Sequence, residues 1–288
     1  MMLLAQLVNG ISIGAIYAIV AAGLALSVGV LRVVNFSHGD LFMLGSYLFW
    51  FLYVQASLPY VMAGVLTIPL MALLGVVFFL VIIRPVLDKS WHIQLIATLA
   101  AATIINNGVI WVLGNVPQSA PTPWSQTSVT LFGVRLSEQR VAILVILPVV
   151  FVGLHYFLKY TRLGMAMRAV SQNREAARTA GIATKTIGIA TFALGTALIG
   201  LGNILITPVY TVFPAMGMTL TMKGFAVMVV GGFGRVNGTV LAAFLLGIAE
   251  AFGIGYFGAS FTDAFAFIAM IIVLLVSPHG IFGRKVGI

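Results

Sequence analysis

The chain has 288 residues, 61% hydrophobic and only 7% charged, with a mean hydropathy of +1.14 and a formal net charge of +9. Soluble domains carry about 25% charged residues, so water is not the main solvent of this protein and a sizeable soluble domain is excluded. It has no cysteine, which excludes a disulfide framework and a cysteine metal site.

A membrane-crossing helix needs about 20 mostly apolar residues. Apolar runs cover residues 3–31, 40–57, 60–83, 92–113, 140–158, 187–208, 218–233, 239–258 and 263–277. These runs are too long and too uniformly apolar for barrel strands, and the hydrocarbon core tolerates no unpaired backbone, so each is expected to be a helix. The expected fold is an all-α polytopic membrane protein with about 8–10 transmembrane or re-entrant helices, forming one domain over residues 1–288. No Lys or Arg precedes Arg32, so the first run lacks the basic start of a cleaved signal and is read as a retained helix. The short run 218–233 is the weakest span and is read as either crossing or re-entrant.

Basic loops stay in the cytoplasm, and the segment 159–186 sets the orientation. It carries Lys159, Arg162, Arg168, Arg174, Arg178 and Lys185 against the single acid Glu175. Alternation puts Arg32, Arg84, Lys89, Arg235 and the tail with Arg284 and Lys285 on the same side. The N-terminus and the 114–139 loop fall outside, with only Arg135 and Arg140 opposing the bias. That loop holds Pro117, Pro121, Pro123 and Trp124, and its prolines predict an irregular external segment. The positive charge is thus a matter of topology; it lacks the aromatic interleaving of a nucleic-acid surface.

Two glycine-rich breaks, Val28–Tyr47 and Val230–Ala251, each hold a basic residue, a Val-Asn pair and then an apolar helix. An internal duplication would leave such a pattern, and paired interrupted helices mark transport pathways.

Four groups of residues carry chemistry. Arg174-Glu175-Ala176-Ala177-Arg178-Thr179-Ala180-Gly181 reads as a short surface helix ended by glycine, its small alanine face open to a docking partner or lying on lipid headgroups. Asn35, Ser37, His38 and Asp40 form a polar cluster after the first run, with three readings: cytoplasmic gate, helix cap or substrate contact. Glu250 lies deep in an apolar run, where it is either a pathway group or a packing group paired with a partner such as Lys223. Gly10 with Gly14, and Gly234 with Gly238, have the small-x-x-x-small spacing of closely packed helices. His38, His92, His155 and His279 are scattered without metal-ligand spacing, and no nucleophilic triad or phosphate-binding Gly-Lys loop is present. No metal, cofactor or catalytic residue is expected.

The E-A-A-x-x-x-G segment resembles the coupling loop of ABC importer permeases. Asn35-Phe-Ser-His-Gly-Asp40, Gly231-Gly-Phe-Gly234 and Gly247-Ile-Ala-Glu-Ala251 resemble segments of high-affinity branched-chain amino acid permeases, and the resemblance runs from Asn9 to Gly283. It implies the ABC importer permease fold and a non-enzymatic transport subunit in a bacterial inner membrane. It also implies partners: cytoplasmic ABC ATPase subunits, a second permease subunit as hetero- or homodimer, and an external substrate-binding protein. Arg174, Glu175, Ala176, Ala177 and Gly181 would then transmit ATPase motion. The same motifs fit a permease for urea, short amides or other amino acids. A secondary transporter would need intramembrane acids, and only Glu250, Asp40 and Asp263 are available.

Overall fold

A computed structural model describes residues 2–131, 134–258, 262–277 and 279–282. Among the described residues each of the nine apolar runs is a helix: α1 (Met2–Leu31), α2 (His38–Trp50), α3 (Tyr60–Phe78), α4 (Trp91–Leu113), α5 (Glu138–Tyr160), α8 (Thr184–Ile206), α9 (Met216–Gly231), α10 (Val236–Phe257) and α11 (Thr262–Val276). Two short helices, α6 (Arg162–Gln172) and α7 (Arg174–Thr179), fill the basic segment between α5 and α8. Both α2 and α3 continue through one wide π-helical turn, Phe51–Gln55 and Phe79–Ile83 respectively. Among the described residues, six helices are long and apolar enough to cross a membrane by themselves. The chain is a multi-pass membrane protein.

The proline-rich loop departs from the expected irregular segment. Thr122 caps a single helical turn at Pro123–Gln126, and an antiparallel hairpin pairs Ser128–Leu131 with Val134–Ser137. The alternating Val129, Leu131, Val134 and Leu136 suit a short strand pair, which prolines further upstream do not prevent. The tail residues Arg284 and Lys285, and the side chain of Asp263, lie outside the described residues.

Two antiparallel helix pairs organise the core. In the first, α1 lies along α10 so closely that a Cβ on Gly10 would stand 2.5 Å from the Cα of Ile248, and one on Gly14 2.7 Å from the Cα of Phe244. In the second, α3 lies along α8, with Gly200 against Ile68 and Gly75 against Thr196 and Phe192. Without a solvent-driven hydrophobic effect between helices in lipid, such close backbone approach is what gives dispersion its strength. Exchanging α1 with α8, α2 with α9 and α3 with α10 maps one pair onto the other with every helix reversed. The architecture is therefore an inverted repeat of three helices.

This repeat differs from the duplication expected from sequence. The break at 32–37 is the structural counterpart of the break at 207–215, and the glycine turn at 232–235 is an ordinary reversal between α9 and α10. The two stretches lie at the same end of the bundle, where Gly29 packs on Gly234.

All the basic loops named above, apart from the undescribed tail, gather at one end of the bundle. Arg174 reaches Asp88 between α3 and α4, while Gly29, Lys159, Arg168 and Arg235 surround one cavity. Arg140 sits at the opposite end, bonded to Asn9 at 2.9 Å.

Candidate transport and coupling sites

Both interrupted helices begin inside the bundle. After Arg32, whose backbone is in the left-handed region (φ 58°), the chain turns back and brings the His38 ring against Gly23. Gly23 is eight residues before the end of α1, or about 12 Å along its axis at 1.5 Å per residue. The segment 207–215 enters from the other end and delivers Gly217 beside Asp40. The first turns of α2 and α9 thus meet, with no room for a Cβ on Gly39 or Gly217.

Side chains satisfy the backbone exposed by these breaks, as buried amides require. Asn35 Oδ1 accepts from the Ser37 amide at 3.1 Å, and the Thr221 hydroxyl of α9 accepts from the Gly39 amide of α2 at 2.8 Å. Both segments are tied to α4: Ser37 Oγ donates to the carbonyl of Thr98, and Asn106 Nδ2 donates to the carbonyl of Pro214 at 2.7 Å. Asn35, Ser37, His38 and Asp40 are all buried. The Ser37 side chain makes no cap hydrogen bond to α2, and the acceptor for the Gly39 amide in its first turn is Thr221, from outside the cluster. Thr221→Val is accordingly expected to leave the Gly39 amide without an acceptor and to destabilise the protein by about 1–3 kcal/mol, read as a lowered midpoint in thermal unfolding of the purified chain. A variant as stable as the wild type would remove Thr221 from this role.

Glu250 is paired. Its carboxylate accepts from the Tyr17 hydroxyl at 2.7 Å (Oε2) and from Lys223 Nζ at 3.0 Å (Oε1), and Lys223 also lies 2.9 Å from the Tyr17 oxygen. All three are buried, Glu250 to 2% and Lys223 to 5% exposure, so Lys223 is a core partner and does not snorkel outward. The triad joins α1, α9 and α10. Tyr17 escaped the sequence reading, yet Gly10, Gly14 and Tyr17 share one stripe at i, i+4 and i+7, and Gly247 and Glu250 share the facing one. Ser46 on α2 and Asn203 on α8 form a further buried contact, at 2.8 Å.

At the basic end, Asn173 caps α7 by accepting from the Ala176 amide at 3.0 Å. Gly181 ends it in the left-handed region (φ 84°), with the Ile182 amide returning to the Ala177 carbonyl at 3.0 Å. A φ near 84° strongly favours glycine at that cap. The alanine face is not wholly outward: Ala177 is buried, and Glu175, Ala176, Arg178 and Thr179 are exposed. A six-residue helix bearing one buried contact turns only that position inward. Arg174 binds Asp88 at 2.7 Å, an exposed pair that contributes about 0–1 kcal/mol and chiefly orients α7. The structure places Arg174, Glu175, Ala176 and Ala177 in α7 and Gly181 just past its end, well away from Glu250 and the 35–40 cluster.

Residues 6–274 match the family described as "Branched-chain amino acid transport system / permease component". The high-affinity branched-chain amino acid transport system permease protein BraD of Pseudomonas aeruginosa is 32% identical over 98% of this chain and 96% of its own length. The corresponding LivH protein of Escherichia coli K12 is 30% identical with the same coverage, and a probable LivH of Methanocaldococcus jannaschii is 28% identical over 92% of this chain and 88% of its own. Among solved structures, a chain of PsaBC from Streptococcus pneumoniae in complex with Fab has a similar fold, with a TM-score of 0.51 at 12% identity over 96% of this chain and 92% of that one. The chain belongs to the permease-component family of branched-chain amino acid transport systems.

Proposed function

We propose that this protein is the membrane-spanning subunit of an ATP-driven importer that carries branched-chain amino acids across a bacterial inner membrane by alternating access. Residues 1–288 form one permease domain, with the basic end in the cytoplasm and 159–186 as its coupling segment. Separate ATPase subunits dock there; a second permease subunit completes the pathway, and an external binding protein delivers substrate. One observation carries the coupling role: α7 is a capped, glycine-terminated helix that exposes Glu175, Ala176 and Arg178 beyond the bundle while Ala177 anchors it. An exposed helix fixed at both ends can receive a push without unwinding. The 35–40 cluster and Glu250 act as the internal lock of the two half-helices, and the gate opens where that lock shifts. An ion-coupled mechanism is less well supported, because the buried Lys223 and Glu250 neutralise each other.

Uptake of radiolabelled leucine by proteoliposomes holding the complete transporter tests this. Uptake is expected to need both binding protein and internal ATP, and to fall roughly 30-fold in Glu175→Ala, as for truncation of an interface anchor worth about 2 kcal/mol. Uptake by this chain alone under an ion gradient would overturn the proposal, while ATP-dependent uptake of a different solute would change only its substrate.

A further inference from the structure

A cavity of about 520 Å³ opens at the basic end between α1, α5, α6 and α10. Its size falls within the range of about 300–1,000 Å³ typical of small-ligand sites. Lys159 at the end of α5, Arg168 on α6 and Arg235 before α10 line it, together with His155 and Asn237, which bond to each other at 2.9 Å. Among the described residues no carboxylate lines it. The five acids whose side chains are described lie elsewhere: Asp40 in the cluster, Asp88 with Arg174, Glu138 at the other end, Glu175 on α7 and Glu250 in the triad. Three basic side chains therefore line a space in which no described acid faces them, the Lys159 ammonium lying also over the Tyr160 ring at 5.1 Å.

The geometry is fixed by the backbone. Arg168 Nη2 donates to the Lys159 carbonyl at 2.8 Å, closing α6 against the end of α5, and Arg235 Nη1 is held by the carbonyl of Phe282. The remaining N–H groups of both guanidiniums are left to face an anion, which they can bind through two parallel hydrogen bonds. Apart from Ser171 the rest of the wall is apolar, including Leu26, Leu158 and Leu241, and Leu241 is 52% exposed on the flank of α10. A small soluble anion has no use for such a wall. An acyl chain descending along α10 from a charged headgroup does.

We propose that this cavity binds the phosphate headgroup of an anionic phospholipid from the leaflet at the basic end, with the acyl chains lying against α5 and α10. The assignment rests on the membrane-spanning fold and not on what the protein transports. The bound lipid neutralises the juncture of α5, α6 and α10 and pins the start of the 159–186 segment to the bilayer. Anionic lipids near a membrane surface are attracted by about 1 kcal/mol per basic residue, equivalent to about fivefold in affinity.

Native mass spectrometry of the purified full-length chain tests this, after exchange into mixed micelles containing phosphatidylglycerol or phosphatidylcholine. The wild type is expected to retain phosphatidylglycerol in preference to phosphatidylcholine, and Lys159→Ala/Arg168→Gln to retain it roughly 25-fold less. Arg32→Gln/Arg84→Gln, at exposed sites of the same end, should behave as the wild type and controls for general surface charge. Equal retention by the wild type and the cavity variant, or equal loss in both double variants, would overturn the proposal. Displacement of the lipid by millimolar inorganic phosphate would overturn it in favour of a soluble phosphate site. Should the first variant prove unstable by circular dichroism, Arg235→Gln gives the same reading from a residue outside α5 and α6, with about a fivefold loss expected.

Discussion

Replacing Lys223 by methionine is expected to destabilise the protein by about 3–5 kcal/mol, because it leaves the Glu250 carboxylate buried without its cation. The carboxylate would keep only the Tyr17 hydroxyl, and water has no ready access to a residue exposed by 2%. The companion Lys223→Met/Glu250→Gln is expected to recover at least half of that loss, since a neutral amide can still accept from Tyr17 and no unpaired charge remains. Tyr17→Phe should cost less, about 1.5–3 kcal/mol, the usual worth of a hydrogen bond to a charged group. Thermal unfolding of the three variants in one detergent measures the order. If the single Lys223 variant proved as stable as the double, the ion pair would not be what holds α9 to α1 and α10.

Gly247→Ala is the second large effect. The added methyl would stand 2.5 Å from both the Gly10 carbonyl oxygen and the Gly14 Cα. These are backbone atoms of a helix, so no rotamer change relieves the clash and the two helices must separate along their whole contact. Overpacking costs typically 1–3 kcal/mol and sometimes more, and here the loss should lie at or above the top of that range. Gly108→Ala on α4 is the matched control, since nothing lies within 4 Å of its new methyl. It is expected to stay within about 1 kcal/mol of the wild type, on the stabilising side from helix propensity. Equal behaviour of the two alanine variants in denaturant titration would contradict the seam.

Much of this architecture is legible in the residues. The nine apolar runs become nine helices because lipid leaves the backbone no alternative, and the basic loops fall at one end because charge distribution encodes topology. The spacing of Gly10 and Gly14 announces a seam, though not that α10 fills it. What stayed hidden depends on contacts distant in sequence. Nothing near Lys223 reveals that it points inward, since an isolated Lys in an apolar run can equally reach the surface. The hairpin at 128–137 was masked by the prolines before it. Thr221, a residue common on any membrane helix, becomes the cap of α2 only because α9 starts in the middle of the bundle. The Val-Asn pairs at 33–35 and 236–237 drew the internal symmetry to the wrong break. The counterparts, 32–37 and 207–215, share a place before a half-helix and hardly any residues, because an interrupted helix asks only for local hydrogen-bonding groups to receive its loose ends.

The two glycine seams also have a mechanical meaning. An interface of interlocked side chains can slip by exchanging rotamers, each step small and cheap, whereas one in which backbone rests on backbone has no such gears. The α3–α8 pair must therefore travel as a single strut, and so must α1–α10. Because α8 begins five residues after α7 ends, a push at α7, on the coupling role proposed above, would pass through that short link to the far end of α3, where Tyr60 holds the Ile204 carbonyl at 2.8 Å. Play in this machine resides at the joints between the struts, and those joints are the buried first turns of α2 and α9.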